Sequence, residues 1–330
     1  SLPMGQWFVV LSAVVSVFAV IAIGAFARRL ELLTEEADQS LLKLLIRVLF
    51  PALILANTLG SPQLQDLRNV LAPPAVGFST IVVGFALAWL VARSLGRTIG
   101  TTDPRQVRTF ALCVGMYNYG FVPIPLTSQL FPNDGTMAVL FLHNLGVEVA
   151  MWTVGIVLLT GHLGKRWYTR VLNGPTIAIA ASLLLNFTGL WAAIPLHLQN
   201  MLMKAMKMMG DSAIPLSLIL VGATIADEIG RARLSRGLNT IAWASLLRVA
   251  ILPAGFLLLV WLLPVSRELK QVIVLEAAMP SAVFPIVLSR HYNGDPPTAV
   301  RVVVGTSILS LITTPLWLLA GLWLLRSIGA

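Results

Sequence analysis

Charge is what this sequence has least of. Only 11% of its 330 residues are charged and 57% are hydrophobic, whereas a soluble domain carries about 25% charged residues. With a mean hydropathy of +0.85, this excludes a soluble globular domain and points to an integral membrane protein. Cysteine is nearly absent. The single Cys113 lies in an apolar run, which excludes a disulfide framework and a thiolate metal site. Long polar loops and low-complexity tracts are missing, so no loop can hold a soluble domain. No nucleotide loop, metal-ligand cluster or hydrolytic triad is legible, which leaves ATP-driven pumping and intramembrane proteolysis without support. The net charge of +9 calls for no nucleic acid, because Lys and Arg gather in short loops that orient spans and meet anionic lipid.

What the chain does have is apolar segments. A spanning helix needs roughly 20 apolar residues. Ten segments qualify, at about 6–27, 39–59, 72–92, 107–131, 136–160, 173–191, 200–226, 238–263, 269–290 and 299–325. The first has no basic region before it and is too long for a signal-peptide core, so it reads as a retained span. Basic residues set the orientation. Fourteen of them, from Arg28 and Arg29 through Arg93, Arg97, Lys165, Arg166, Arg233 and Arg236 to Arg301, follow odd-numbered spans; six, Arg68, Lys204, Lys207, Arg267, Lys270 and Arg326, lie on the other side. The odd loops are therefore expected in the cytoplasm and both termini outside.

Two spans are broken. Asn118, Gly120, Pro123 and Pro125 interrupt the fourth, and Pro280 and Pro285 interrupt the ninth. Phe50-Pro51 in span 2 is echoed by Ile214-Pro215 in span 7. Five spans per half is an odd number, so the second half enters from the opposite side. The expected architecture is an all-α membrane protein of ten helices in a 5+5 inverted repeat, its two broken helices crossing. Such paired interruptions point to a transporter's binding site, since backbone leaves the helix at membrane depth only where it faces protein or a watery cavity.

Several residues there carry chemistry. The Asn118 amide offers two donors and an acceptor and can hold a carboxylate without a buried cation; it can equally cap a half-helix, and spacing leaves both readings open. Tyr117 and Tyr119 line a pocket or pack. The prolines free backbone groups, and half-helix N-termini behind them direct partial positive charge at the midplane, which suits an anion. Glu148, Arg248 and Glu276 are intramembrane charges, each paired or functional. Either Arg248 forms a structural salt bridge with Glu148 or Glu276, or these groups act in coupling. Lys43 and Arg47 read as snorkelling residues. His143 and Asn144 can face the crossing, with His143 a core residue on the plainer reading. Thr306, Ser310 and Thr313 share a face of span 10, for packing first and substrate second.

The sequence resembles the auxin efflux carrier family, the plant PIN carriers and their bacterial relatives, over nearly its whole length. Asn118 followed by Ile124-Pro125-Leu126 is similar to the family's first crossover. Glu276 through Met279-Pro280 and Pro285 to Tyr292-Asn293 is similar to the second. Asn173-Gly174-Pro175-Thr176, Gly210-Asp211, and Arg248 with Pro253 also match. The resemblance implies a homodimer with a scaffold of helices 1–2 and 6–7 (residues 1–71 and 172–237). It implies a transport domain of helices 3–5 and 8–10 (residues 72–171 and 238–330), moving as an elevator. It implies that substrate carboxylates bind near the crossover, with Asn118 a principal ligand; the residues around the two breaks, Tyr117, Tyr119, Gly120, Pro123, Pro125, Asn144, Met279, Pro280, Ser281 and Pro285, are the further site candidates of this chain. The short segment from Gly161 to Leu172 replaces the long loop of the plant carriers and suits a bacterial inner-membrane protein. Tyr117 stands where the plant crossover has proline, and Tyr119 has no counterpart there. Bacterial relatives are associated with dicarboxylates such as malonate and malate. The expectation is a non-enzymatic carrier of a small organic anion that needs no cofactor, its coupling to H+ or Na+ open. A sodium- or proton-coupled symporter of the bile-acid carrier type, or a non-transporting receptor, stands as the alternative.

Overall fold

The computed structural model describes residues 4–164, 167–231 and 237–329. Lys165, Arg166, Arg233 and Arg236, counted above among the basic loop residues, lie outside the described residues. Apart from a single pair of bridged residues, all regular secondary structure among the described residues is helical. Seven helices are long and apolar enough to cross a membrane. They are α1 (Met4–Arg29), α2 (Glu35–Thr58), α3 (Leu67–Ser94), α6 (Thr136–Thr160), α8 (Leu196–Arg231), α9 (Leu238–Leu262) and α12 (Pro296–Ser327). Between them stand the shorter apolar helix α7 (Gly174–Phe187) and two split segments. The first split segment is α4 (Pro104–Gly115) followed by α5 (Pro123–Leu130). The second is α10 (Arg267–Ala277) followed by α11 (Phe284–His291).

Sequence explains the starts. Asp103 and Gln106 form a reciprocal capping box at the head of α4, and Thr34, Asn173, Ser266 and Asp295 cap α2, α7, α10 and α12. Each satisfies a backbone N–H that a helix start leaves open. Pro123 and Phe284-Pro285 open the half-helices, where a missing N–H costs nothing. Three helices carry a π turn, at Leu45–Leu49, Met151–Gly155 and Leu247–Ile251.

Small residues bring the helices together. α3 packs on α6, and α1 on α8. A Cβ at Gly146 would stand 1.9 Å from the Pro74 carbonyl, and one at Gly77 would stand 2.3 Å from the His143 carbonyl. Gly24 and Gly222 meet the Ile219 and Ile21 carbonyls in the same reciprocal way, at 2.2 and 1.9 Å. Close backbone approach of this kind is how helices associate in lipid, where apolar side chains gain little from leaving the solvent. One apolar cluster runs through both halves, from Val10 to Leu325.

Candidate functional site

The two split segments cross at their breaks. Tyr117 and Ser281 form an isolated antiparallel bridge. The Asn118 N–H donates to the Pro280 carbonyl at 2.9 Å, and the Ala282 N–H donates to the Met116 carbonyl at 2.8 Å. Backbone that has left the helix is thus paired across the crossing, as a low-dielectric setting demands.

The remaining groups are met by side chains, and prolines determine which ones. In a continuous helix the Tyr119 carbonyl would accept from residue 123, but Pro123 has no N–H. The Asn144 side chain on α6 donates to that carbonyl at 2.8 Å. Pro280 likewise has no N–H to give the Glu276 carbonyl, which accepts from the Met279 N–H at 3.2 Å instead, with Arg248 Nη2 approaching it at 3.5 Å. Pro253 frees the Val249 carbonyl, which accepts from Trp317 Nε1 at 2.7 Å. The Ala278 carbonyl loses Ala282 to the crossing and accepts from the Thr314 hydroxyl at 2.9 Å. Thr306 Oγ1 accepts from the Ser281 N–H at 3.3 Å. Of the hydroxyl face of α12, Thr306 thus serves the crossing's backbone, while Ser310 and Thr313 bond the Ser307 and Leu309 carbonyls of their own helix. Asn144 on α6 and Thr314 on α12 hold the two halves of the crossing, each from the helix that follows one split segment in the chain.

On one side of the crossing lies a cavity of about 420 Å3. Of the residues singled out from sequence, Asn118, Tyr119, Gly120, Asn144 and Glu148 line it. Asn118 is buried and faces the cavity, and its Oδ1 accepts a long 3.4 Å bond from the Val122 N–H just ahead of α5, whose start has no side-chain cap. Glu148 accepts from Tyr119 Oη at 2.6 Å and Trp152 Nε1 at 2.9 Å. The N-terminal turn of α11 contributes Val283 and Phe284. The opposite wall comes from α2, α7 and α8, with Phe50, Ile54, Ile179, Leu220 and Thr224. Asp38, Arg170, Asn173 and Thr176 add to the polar lining; Asp38 is paired with Arg28, and the Arg170 guanidinium sits 5.4 Å from the Trp152 ring and 5.0 Å from the Tyr292 ring.

The other candidates do not line this cavity. Pro123, Pro125, Met279, Pro280, Ser281 and Pro285 are buried in the crossing itself. Tyr117 is fully buried on its far side, within a second polar cluster. Its hydroxyl meets Thr80 Oγ1 at 2.9 Å and His143 Nε2 at 3.3 Å, and its ring carries the Arg248 guanidinium at 5.3 Å and the edge of Phe256. His143 Nδ1 lies 4.0 Å from Glu276 Oε1. Neither salt bridge considered for Arg248 forms among the described residues: Glu148 is engaged by Tyr119 and Trp152, and Arg248 reaches only the Glu276 main chain. Both Glu276 carboxylate oxygens, Arg248 Nε and Nη1, and Ser281 Oγ have no hydrogen-bond partner there.

Sequence reasoning missed Trp152, Asp38 and Arg170. A signal existed for the first two. Trp152 is one helical turn beyond Glu148, and Asp38, Leu42, Ile46, Phe50 and Ile54 form a four-residue stripe along α2 that faces the cavity. Arg170 had no such signal.

Comparison with known proteins bears on what such a crossing belongs to. A family model described as membrane transport protein matches residues 9–170 and 163–318. An uncharacterized transporter of Methanothermobacter thermautotrophicus is 27% identical over 310 residues, covering 92% of this chain and 96% of its own. The uncharacterized transporter MJ1031 of Methanocaldococcus jannaschii is 23% identical over 315 residues, covering 93% and 97%. The match runs through both split segments and almost every helix between the termini, so the chain belongs to the membrane transport protein family, that of the auxin efflux carriers.

Proposed function

We propose that this membrane transporter is a secondary carrier for a small organic carboxylate, bound in the cavity beside the crossing. The observation that carries this reading is the convergence of Asn118, Asn144 and the first turn of α11 on one side of two broken helices. Amide donors and a half-helix N-terminus bind an anion without a buried cation. Arg170 adds positive charge at one end of the cavity. The carboxylates Glu148 and Asp38 also line the cavity, Glu148 held by Tyr119 and Trp152 and Asp38 by Arg28, and their remaining lone pairs suit a substrate that itself carries a donor, such as a hydroxy acid or a partly protonated dicarboxylate.

The ten-span 5+5 plan belongs to this proposal. On it, the split segments count as spans 4 and 9, and α7 as span 6. The cavity wall supports an elevator movement, because α2, α7 and α8 supply one side and the crossing with α6 supplies the other. The first group then forms the scaffold and the dimer contact, and the second the moving domain. A second reading, cation-coupled symport, draws on Glu148, a carboxylate in the cavity already contacted by a Tyr119 hydroxyl.

The test is uptake of labelled mono- and dicarboxylates into liposomes holding the wild type or Asn118→Ala, with and without a sodium or proton gradient. The carrier reading expects uptake that Asn118→Ala weakens at least tenfold in kcat/KM, about 1.4 kcal/mol of lost recognition. Unchanged affinity and rate remove Asn118 from the site. Ligand binding without flux favours a receptor, and an absolute gradient requirement favours the symporter.

A further inference from the structure

A second, larger cleft lies at the opposite end of α3 from its start at Leu67, where no function has been assigned. It encloses about 1090 Å3. Three elements build its walls: the C-terminal end of α3 with Trp89 and Arg93, the short helical turn Gly96–Ile99 with Arg97 and the residues after it to Thr101, and the head of α4 with Arg108. The end of α6 closes it with Val157 and Leu158. Three guanidinium groups thus surround one space, and none of the described lining residues is acidic. The nearest carboxylate along the chain, Asp103, is occupied in the capping box of α4, where it accepts from the Arg105 N–H at 2.6 Å.

The arginines differ in what holds them. Arg108 is anchored by the Pro104 carbonyl at 3.3 Å and the Leu159 carbonyl at 3.2 Å. Arg93 lies 5.1 Å over the Trp89 ring. Arg97 has no side-chain partner among the described residues, and both Arg93 and Arg97 are exposed. Below them, Thr101 is only 2% exposed, and its Oγ1 has no hydrogen-bond partner among the described residues. A buried hydroxyl without a partner is costly unless something fills the space beside it. Like-charged side chains gathered round an unused buried donor make a receptor for an anion with several acceptor oxygens, and guanidinium groups suit phosphate in particular.

We propose that this cleft binds a phosphate group, and that its source is the headgroup of an anionic phospholipid. The surroundings favour the lipid. Trp89 and Arg93 lie at the C-terminal end of a candidate span, the depth at which aromatic and basic residues meet headgroups. Beside the cleft, Val83, Leu90, Leu95 and Val157 are exposed apolar residues along which acyl chains can run. The site is separate from the crossing, and the proposal holds whatever the carrier transports. The cleft floor also touches the second half of the chain, because the Thr240 hydroxyl donates to the Ile99 carbonyl at 2.8 Å.

The test is native mass spectrometry of the full chain in detergent after exchange with phosphatidylglycerol or phosphatidylcholine. A parallel arm measures melting shifts with inorganic phosphate and with glycerol phosphate. The expected result is retained phosphatidylglycerol, weakened roughly thirtyfold in Arg93→Gln/Arg97→Gln, since each basic residue near an anionic surface contributes a factor of about five. The control Arg68→Gln/Arg326→Gln carries the same charge change at other exposed sites and retains lipid as the wild type does. Thr101→Val, of matched shape, also loses affinity while melting no lower than the wild type, since it removes an unpartnered buried hydroxyl. Stabilisation by soluble phosphate that depends on Arg93 and Arg97, without lipid retention, keeps the phosphate site and overturns the lipid as its source. Equal retention in the cleft and control variants, with no phosphate-dependent shift, overturns the proposal.

Discussion

Replacing Asn144 by Leu tests whether the crossing is held open by side chains standing in for missing helix donors. The change nearly preserves volume and removes the donor to the Tyr119 carbonyl, whose helical partner would be the imino nitrogen of Pro123. A buried carbonyl left without a donor costs about 1–3 kcal/mol. Hydrogen bonds between membrane helices measure lower, averaging about 0.6 and reaching about 1.7 kcal/mol, because the unfolded chain in the membrane also finds partners. Here the carbonyl is fixed by the bridge on one side and by a proline on the other, so relaxation toward another donor is restricted. The expected loss is therefore about 1–2 kcal/mol. Thr314→Val makes the matching change on α12, leaving the Ala278 carbonyl unpaired, and carries the same expectation. Thermal unfolding in detergent reads both. Uptake separates them, because Asn144 lines the cavity and Thr314 does not. Asn144→Leu should lose stability and substrate affinity together, and Thr314→Val stability first. If both variants melt with the wild type, the prolines have opened no backbone that side chains need to satisfy, and the account of the crossing fails.

Two further outcomes follow from the packing and the charges. Gly146→Val places carbon 1.9 Å or less from the Pro74 carbonyl, which is backbone and cannot swing away. It should cost at least the 1–3 kcal/mol typical of overpacking, about that or more, read as lost monodisperse yield beside Gly255→Val, where a Cβ meets nothing within 4 Å. On α8, Glu228 accepts two 2.9 Å bonds from Arg290 Nη2 on α11, so the pair ties the proposed scaffold to the proposed moving domain. Arg290 is 43% exposed, which limits the pair to about 1 kcal/mol or less. Glu228→Gln should raise the maximal uptake rate by up to about fivefold with KM unchanged, and an unchanged rate would separate this pair from the transport movement.

How much of this was legible in the sequence depended on whether a feature was local. The two breaks were, because Asn118, Gly120, Pro123 and Pro125 stand within one apolar run, and Pro280 and Pro285 within another. Asn144 and Glu148 were legible as polar residues in an apolar helix, although their partners were not. The side of the crossing that each residue takes was hidden. Tyr117 and Asn118 are neighbours on extended backbone, where successive side chains point to opposite faces, so one enters the sealed cluster and the other the cavity. Arg248 illustrates the same limit. Its charge suggests a salt bridge, but the guanidinium lies against the Glu276 carbonyl and the Tyr117 ring instead, an approach set by tertiary packing that the sequence does not display. Two of the three π turns, Leu45–Leu49 and Leu247–Ile251, run directly into Pro51 and Pro253, residues that remove a helix donor; the third, Met151–Gly155, has no such local mark.

The crossing also makes a stricter demand than either break alone. Asn118 and Ala282 each give their N–H to the opposing segment, so neither split helix can leave without unpairing the other in a medium with no water to replace the bond. If transport moves the site, both segments must travel as one body. That requirement can be measured without observing motion. Asn144 fixes the first segment from α6, and Thr314 fixes the second from α12. Their targets lie close to the bridged pair, Tyr119 two residues beyond Tyr117 and Ala278 three before Ser281. Independent anchors would add, with a double-mutant residual within about 0.3–0.5 kcal/mol. Anchors on a single body should not add, because once one segment has slackened, the bridge transmits the loss and the second substitution removes less. The expected coupling in Asn144→Leu/Thr314→Val is at least about 0.5 kcal/mol, with the double variant more stable than the sum of its parts predicts. Strict additivity would mean that the bridge carries no load between the halves, leaving each segment free to move with its own flanking helix.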